Sequence, residues 1–497
     1  MTSRPTHALA HLLGRAALAA ATLVASAGCA PLAAPAAPAS AASPSARGGP
    51  PDIVLVTVDA LRADHVSALG YERPTTPNLE RFAARAAVFT RAHANGGWTL
   101  PGIGSLLTGL RPPAHRIDGP DFTIPATLRA LPALLREHGY RAPGFLDWYL
   151  ERGFGFEPVE PPYRMPYVGE ARAKSELALR WLDEHRGQPS FLWLHQVVVH
   201  LPYEPSAASA ALFDDPAAAA DPAVSGFDGS RAMAIDLASG ARVATAAGAR
   251  RVAARYDACV YDADAALGVL LDGLEARQAW SRTIVIVTAD HGDELLDRGH
   301  AGHAWWTHHG TLHEEILHVP LFVWAPGVRP RTIDALVEQA DVAPTLLALT
   351  GLDGSGAGSG GAAAPSFEGR SLVPLLAGES LPPRPAFAES TPAGFYVEPA
   401  IMGDLRLRSV IDGPWKLLVS QGALGVRKEL FRLDRDPGEL HDLAAAEPAE
   451  VTRLTGLLGD WLLAERRRSF ELRRATLRPG AETPLGAILD SRRWLEP

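Results

Sequence analysis

Long unbroken apolar runs mark the central strands of the chain. Residues 52–58 form a β-branched run that ends at Asp59, and residues 283–288 form a second run that leads into Asp290. Residues 190–194 are a third such run, and two histidines follow it. Runs of this kind are typical of parallel strands that are buried on both faces. We therefore expect polar side chains at the carboxyl ends of neighbouring strands, the edge of an α/β sheet where ligands bind.

Helical patterns separate these strands. Apolar residues recur at helical spacing in residues 171–184 and 251–275, which gives the alternation of a doubly wound α/β sheet. Residues 206–249, rich in Ala, Asp and Gly, interrupt this alternation and indicate an insertion near the mouth of the site. Residues 354–365 contain only Gly, Ala, Ser and Pro, which is typical of a flexible loop.

The last quarter of the chain has a different pattern. It contains short strand-like pieces, residues 406–411 and 415–419, and then a helical pattern over residues 448–468. Short strands beside one helix are typical of a small α+β unit. We therefore expect a catalytic domain over residues 52–380 and a C-terminal subdomain over residues 381–497.

The N-terminal segment resembles an export signal. Residues 1–28 contain Arg4 and Arg15 and then a short apolar run, well below the ~20 apolar residues that a membrane-spanning helix needs. The run ends in Ser-Ala-Gly-Cys, which resembles a bacterial lipobox and predicts a lipidated Cys29 in the cell envelope. The alternative is a soluble secreted protein that is cut near Ala27. Residues 29–51, rich in Ala, Pro and Ser, predict a flexible tether.

Composition narrows the classes of function. Of the 497 residues, 47% are hydrophobic and 21% are charged, ordinary values that argue against wholesale disorder and against a polytopic membrane protein. The net charge of −9 leaves no basic footprint, so we expect no nucleic-acid partner. Two cysteines, Cys29 and Cys259, are too few for a framework of disulfides.

Asp59, Asp290 and His291 are the strongest candidates for metal ligands. Carboxylate oxygens and an imidazole nitrogen that converge at strand ends can hold a divalent cation. Asp290 and His291 would supply two adjacent ligands from one turn. The alternative for an Asp in such a position is that it caps the following helix.

Thr99 is the candidate nucleophile. It begins a helical pattern over residues 99–108, and two glycines before it allow the chain to turn sharply. Beside a metal, a hydroxyl at a helix N-terminus is favoured as an alkoxide by both the helix dipole and the cation. The alternative is that Thr99 only caps this helix.

Several ordered blocks together resemble the sulfatase branch of the alkaline-phosphatase superfamily, over nearly all of the chain after residue 51. The blocks are residues 59–65, 70–71, 76–79, 99–101, 105–109, 195–203, 256–264, 288–294, 309–321, 339–346, 369–372, 415–417 and 429–443. The resemblance implies an α/β, alkaline-phosphatase-like three-layer sandwich with a mostly parallel central sheet and a small C-terminal α+β subdomain. It also implies a metal-dependent hydrolase of sulfate or phosphate esters.

The chain departs from the family pattern at three positions. Thr99 replaces the Cys or Ser that sulfatases oxidise to formylglycine, Ile103 replaces an arginine, and Ala60 replaces a second acidic ligand. The methyl group on the threonine β-carbon prevents that oxidation, so we expect no formylglycine. One divalent ion is expected, and with His291 in the ligand set the site favours Mn²⁺ or Zn²⁺ over Ca²⁺, with Mg²⁺ or Ca²⁺ as the alternatives.

Resemblance to the superfamily's threonine enzymes implies the roles of individual residues. Thr99, also a metal ligand, would attack phosphorus in line, and water or an acceptor alcohol would release the resulting phosphothreonine. His200 and His309 would bind the non-bridging oxygens or protonate the leaving group. The substrate would be a sulfated or phosphorylated small molecule, glycan or lipid. The alternatives are a phosphoryl-group transferase of the cell envelope and an inactive binding protein of the same fold.

Overall fold

The computed structural model describes residues 49–118, 124–144, 153–158, 171–303, 311–352, 367–390, 406–422 and 425–474. The predicted signal peptide, the lipidation site at Cys29, the tract 354–365 and His309 lie outside these residues. The proposed division of the chain at residue 380 stays a prediction.

Strands of the described residues form two main sheets and one short hairpin. In chain order the strands are β1 (Asp52–Val58), β2 (Ala87–His93), β3 (Phe191–Gln196), β4 (Thr283–Ala289), β5 (Glu294–Leu295), β6 (Ala301–Gly302), β7 (His318–Trp324), β8 (Arg331–Ile333), β9 (Val337–Glu338), β10 (Ala386–Ser390), β11 (Arg406–Asp412), β12 (Trp415–Gly422) and β13 (Gly425–Arg432).

The central sheet has the order β3-β1-β4-β7-β2-β8, with β9 also paired to β2. β1 runs parallel to both β3 and β4, and β2 runs parallel to both β8 and β9. β7 is antiparallel to both of its neighbours, β4 and β2. The prediction of a mostly parallel sheet is confirmed, and the reversed β7 is a feature that the sequence pattern did not indicate.

Helices cover both faces of this sheet. In chain order they are α1 (Pro77–Ala83), α2 (Thr99–Thr108), α3 (Pro112–His115), α4 (Leu131–Glu137), α5 (Ala171–Glu184), α6 (Ala207–Phe213), α7 (Pro216–Ala220), α8 (Arg231–Ala238), α9 (Ala246–Ala276), α10 (Glu314–Leu317), α11 (Val342–Thr350), α12 (Val373–Ala377) and α13 (Pro448–Arg473). One group contains α1, α5 and α9, and a second contains α2, α4 and α11. Every residue of β1 and β4 is buried, as the central strands of a three-layer α/β sandwich require.

The segment predicted as an insertion, residues 206–249, forms short helices that lead into α9. Each helix begins at a residue whose side-chain oxygen accepts a hydrogen bond from a backbone N–H of the first turn, which stabilises helix starts. These caps are Ser206 for α6, Asp215 for α7, Ser230 for α8 and Thr245 for α9. Among the described residues, no helix combines the length and the apolar character needed to span a bilayer.

The C-terminal part contains an antiparallel sheet of order β10-β11-β12-β13 with α13 packed against it. One face of this sheet contributes apolar side chains to a small core with α13. That core contains Val410, Leu417, Val419, Leu430, Leu454, Leu458, Trp461 and Leu462. Leu407, Leu418 and Phe431 belong instead to the large core of the molecule. The predicted C-terminal α+β unit is therefore confirmed.

Candidate active site

Strand register brings the predicted acidic residues together. β1 lies between β3 and β4, and Val58 is opposite Gln196 on one side and Ala289 on the other. Asp59 and Asp290 each follow the last residue of their strands, so they meet at one sheet edge. Both side chains are completely buried.

Histidines complete a cluster around Asp59. His291 Nε2 lies 3.4 Å from Asp59 Oδ1 and 3.5 Å from Asp290 Oδ2. His195 Nε2 lies 3.3 Å from Asp59 Oδ2. One ligand atom each from Asp59, His195 and Asp290 lie within 4.8 Å of one another, close enough to hold a metal ion.

His195 is a candidate ligand that sequence reasoning missed. It lies in β3 opposite Thr57, and its Nδ1 is 2.8 Å from the Thr57 hydroxyl oxygen. That oxygen also accepts a hydrogen bond from Trp193 Nε1 at 2.9 Å. The contact fixes the imidazole with Nε2 facing Asp59. A histidine near the end of an otherwise apolar strand was the available signal, but which strand lies beside it cannot be read from the sequence.

Asp290 has one satisfied oxygen and one that lacks a donor. Its Oδ1 accepts hydrogen bonds from Ala60 N at 3.1 Å and from His291 N at 2.9 Å. Its Oδ2 is buried and has no hydrogen-bond partner among the described residues. A buried carboxylate oxygen without a donor is costly, and a cation would satisfy it. The residues present therefore fit a divalent ion.

Electrostatics around the two carboxylates also fit a cation. Burial, together with the nearby charge of Asp59, raises the pKa of Asp290 to about 7. Burial also acts to raise the pKa of Asp59, but His200, His195 and His291 outweigh it and hold that pKa below its usual value. Two acids this close resist simultaneous ionisation unless a positive charge lies between them.

His291 presents an unprotonated nitrogen to this cluster. Its Nδ1 donates a hydrogen bond to the carbonyl oxygen of Gly292 at 2.6 Å, which leaves the Nε2 lone pair directed at the carboxylates. Burial lowers the pKa of His291, and the neighbouring His303 lowers it further. A neutral imidazole with this orientation is the form that binds a metal.

Thr99 lies beside the same nitrogen. It begins α2, its side chain is buried, and its Oγ1 is 3.4 Å from His291 Nε2. α2 approaches the end of β4 so closely that a Cβ atom on Gly102 would lie 3.1 Å from the carbonyl carbon of Asp290. The structure thus brings together all four predicted ligands, Asp59, Thr99, Asp290 and His291.

A row of histidines extends from the cluster. The ring of His303 lies 4.2 Å from that of His291, and the ring of His200 contacts His303 edge to face at 4.8 Å. Buried Asp293 orients His303, since its Oδ1 lies 3.0 Å from His303 Nδ1. The ring of His303 thus lies in contact with both His291 and His200, and the role predicted for His200 stays a prediction. The same holds for His309.

Tyr256 and Lys174 hold the backbone next to the metal cluster through hydrogen bonds. Ala60, at the position of the second acidic residue in the family pattern, has a φ of 61°, which is uncommon outside glycine. Tyr256 holds this backbone, because its hydroxyl donates to Ala60 O at 2.6 Å and accepts from Arg62 N at 2.8 Å. Lys174 is buried and donates to the carbonyl oxygen of His195 at 2.7 Å, and burial lowers its pKa to about 8.

The known proteins whose sequences resemble this chain include several sulfatases. Arylsulfatase K of Gallus gallus is 29% identical over 216 residues, which cover 42% of this chain and 36% of that protein. A choline-sulfatase of Rhizobium meliloti is 29% identical over 206 residues, or 41% of this chain and 36% of the relative. A sulfatase of Formosa agariphila is 25% identical over 370 residues, or 61% of this chain and 69% of the relative. The match to the arylsulfatase and the choline-sulfatase thus spans little more than a third of their length.

Solved structures share the fold. The phosphonate monoester hydrolase of Agrobacterium radiobacter superposes with a TM-score of 0.64 at 21% identity, covering 84% of this chain and 96% of that one. A protein solved with its substrate D-glucosamine-2-N,6-O-disulfate superposes with a TM-score of 0.65 at 18% identity, covering 85% and 99%. The family model named Sulfatase matches residues 51–352, more than half of the chain. The chain therefore belongs to the sulfatase family.

Proposed function

We propose that this protein is a metal-dependent hydrolase of sulfate or phosphate esters in which Thr99 is the nucleophile. One observation carries the proposal: Thr99 Oγ1 lies at a helix start, 3.4 Å from His291 Nε2, within a buried group of two carboxylates and two imidazoles. The names of the relatives add support, because they include an arylsulfatase, a choline-sulfatase and a phosphonate monoester hydrolase.

Asp59, Asp290 and His291 would hold one divalent ion, with Thr99 and His195 as further donors. When bound, this ion supplies positive charge that stabilises the anionic nucleophile and the oxygens of the ester. Two carboxylates with imidazole nitrogens favour Mn²⁺ or Zn²⁺, whereas Mg²⁺ and Ca²⁺ prefer sites made of oxygen alone. The finding that Asp290 Oδ2 has no donor among the described residues supports this assignment.

The covalent step uses the Thr99 oxygen. The hydroxyl passes its proton to a water molecule, its oxygen bonds to sulfur or phosphorus, and the ester oxygen leaves with the bonding electron pair. We assign His200 and His309 to the delivery of a proton to that leaving oxygen. Water then attacks the same sulfur or phosphorus atom, releasing sulfate or phosphate and restoring Thr99. No aldehyde is involved, because the β-carbon of Thr99 bears a methyl group.

We also propose that the protein is exported and anchored by lipid. The composition of residues 1–28 supports transport out of the cytoplasm, and Cys29 supports anchoring by lipid. Expression of the full chain in a bacterial host with labelled fatty acid tests the anchor. We expect label and membrane fractionation for wild type, and neither for Cys29→Ser. Equal labelling and equal fractionation of wild type and Cys29→Ser would refute the lipid anchor at Cys29 and support the alternative of a soluble secreted protein.

The nucleophile is tested with Mn²⁺-loaded or Zn²⁺-loaded protein on aryl sulfate, aryl phosphate and an aryl phosphodiester. Thr99→Ala and the isosteric Thr99→Val should lower kcat by about 10³-fold or more on the best ester, an effect expected for loss of a nucleophile. Thr99→Ser keeps the hydroxyl and should stay within about tenfold of wild type. Thermal unfolding of each variant serves as the control for folding.

Intact-mass measurement on acid-quenched enzyme adds an independent readout. Wild type should show the added mass of one sulfo or phospho group, and Thr99→Val should not. Wild-type rates in Thr99→Val would remove Thr99 from the mechanism. Absence of turnover on every ester with every metal would favour a binding protein instead.

A further inference from the structure

The interface between the C-terminal sheet and α13 changes from apolar to basic along its length. Val410 and Leu462 belong to the small apolar core of this interface. Two and four residues before Val410 on β11 are Arg408 and Arg406, whose side chains leave the same face of the sheet because strand residues alternate between faces. On α13, Arg466 lies one turn beyond Leu462, and side chains four residues apart share a helix face. The apolar interface therefore continues into one that is lined by arginine.

The end of α3 adds a third element to this basic region. Arg473, two turns beyond Arg466 on α13, donates hydrogen bonds to the last two carbonyl oxygens of α3, at 3.2 and 2.7 Å. Arg116 follows directly after α3 and is exposed. The end of α3 is thus fixed against the part of α13 that follows Arg466. Arginines from three separate elements, α3, β11 and α13, meet at one place.

Positive charge is in excess at this place among the described residues. Five guanidiniums, which we call the arginine site, are those of Arg116, Arg406, Arg408, Arg466 and Arg473. Two carboxylates lie beside them: Glu389 pairs with Arg408 at 2.7 Å, and Asp118 lies 3.7 Å from Arg406. Arg466 itself makes no hydrogen bond or ion pair within the described part of the chain. The arginine site therefore carries three positive charges more than its two carboxylates neutralise.

The surroundings of Arg466 disfavour its charge. Burial lowers the pKa of Arg466, and the nearby charges of Arg408, Arg406 and Arg116 lower it further, against a smaller opposing effect of Glu389. A guanidinium nevertheless keeps its proton in a protein, so the repulsion is a cost to the fold. An anion between these side chains would offset that cost. Guanidiniums suit oxyanions in particular, because their N–H groups can donate in parallel pairs to two oxygens.

We propose that the arginine site binds one tetrahedral oxyanion, a phosphate or sulfate group, at a place separate from the metal cluster. A tetrahedral ion presents oxygens in several directions and can accept from more than one arginine at once. Arg466 is only partly exposed, which favours a small ion or a single phosphate group over an extended charged surface. The bound ion would hold α13 against β11 and α3. The inference does not depend on Thr99 or on hydrolysis.

Calorimetric titration of the full chain with inorganic phosphate and with sulfate, at constant ionic strength, tests the site. Each titration is repeated with a chelator, so that binding to a metal is recognised by its loss. Arg466→Gln removes the partly buried charge. Arg467→Gln is the matched control, because Arg467 is the next residue of α13, is exposed and changes the net charge equally.

We expect wild type to bind one phosphate or sulfate per chain with and without the chelator. Arg466→Gln should weaken this binding at least tenfold, as the loss of a charged hydrogen-bond donor implies, and Arg467→Gln should keep it within twofold. Arg116→Gln, at an exposed side chain, should weaken it at least threefold and serves as a second variant if Arg466→Gln does not fold. No binding to wild type, or equal weakening by the variants at 466 and 467, would overturn the inference.

Glycerol 3-phosphate distinguishes a free ion from a phosphate group on an organic molecule. Binding within tenfold of inorganic phosphate, and sensitive to Arg466→Gln, would support a site that accepts a phosphate monoester. Binding of the inorganic ions alone would support a site for the free ion.

Thermal unfolding at constant ionic strength adds an independent readout. Phosphate or sulfate should raise the Tm of wild type and of Arg467→Gln more than that of Arg466→Gln, since a ligand that binds only the folded state stabilises it. Sulfate and phosphate also stabilise folded proteins without binding to a site. An identical rise of Tm in all three proteins would therefore contradict the arginine site.

Discussion

Replacing Gly102 by alanine should separate the nucleophile from the rest of the site without removing any reactive group. A Cβ atom at Gly102 would lie 3.1 Å from the carbonyl carbon of Asp290, with the carbonyl oxygen nearer still. Carbon atoms prefer separations of about 3.5–4.0 Å, so α2 must move by roughly 0.5–1 Å. Both partners are backbone, and no flexible side chain can absorb the contact. Thr99 begins α2, so its 3.4 Å distance to His291 must change.

A displacement of this size has a predictable cost. Misplacement of a reacting group by about 1 Å can lower the rate by ~10²-fold, and overpacking of this kind costs about 1–3 kcal/mol of stability. The assay is kcat/KM on the best aryl ester with saturating metal, alongside urea unfolding. We expect a loss of about 30- to 100-fold in kcat/KM from a folded protein.

Gly456→Ala is the control for a glycine-to-alanine change in a helix. Gly456 lies in α13 and a Cβ atom there meets nothing within 4 Å. This variant should keep the wild-type rate and gain about 0.5–1 kcal/mol from helix propensity. A Gly102→Ala protein with wild-type kcat/KM would show that the rate does not depend on how closely α2 approaches β4.

Three further predictions concern stability. Burial raises the pKa of Glu294 to about 8, so between pH 4.5 and 8 the folded protein keeps a proton that the unfolded chain has lost. Its contribution to stability therefore falls as pH rises through that window, and Glu294→Gln should flatten this dependence in urea unfolding at pH 5 and pH 8.5. Lys416→Met leaves the partly buried carboxylate of Glu314 and the buried carboxylate of Glu439 without their shared ammonium, at 2.7 and 2.9 Å, and should cost about 3–5 kcal/mol in the same assay. Chelation should lower Tm, and Mn²⁺ or Zn²⁺ at about 100 times its Kd should return about 2.7 kcal/mol of stability; a Tm indifferent to all divalent ions would contradict the metal site.

Local patterns were sufficient to predict the strands that carry the site. β1 and β4 are apolar throughout because both faces of the sheet are covered, and that leaves a clear trace in the sequence. The positions of Asp59 and Asp290 could be predicted because each residue directly follows one of these strands. His291 could be placed beside them because it is the next residue after Asp290. These residues were predictable because each depends on local sequence and on one rule about sheet edges.

Features that depend on which strands are neighbours were not predictable. His195 joins the cluster because β3 lies beside β1, an adjacency between residues 138 positions apart. Lys174 reaches the site from α5 only after that helix packs on the sheet. The antiparallel direction of β7 could not be predicted, because an apolar strand has the same sequence pattern whichever way it runs in the sheet. The caps of residues 206–249 are local, but Ser and Asp are common in loops as well, so the pattern alone did not distinguish helices from turns.

β1 lies between two strands that come much later in the sequence, and this has a consequence for how the chain folds. Among the described strands β1 is made first, yet its two partners follow only 138 and 231 residues later, so during synthesis its apolar surface has no neighbouring strand to pair with. Long-range strand pairing of this kind forms slowly, and the partly folded intermediates expose apolar surface that promotes aggregation. Chains stopped before β4 should therefore associate with chaperones and aggregate, and the proposed metal site can form only once nearly three-fifths of the polypeptide has emerged.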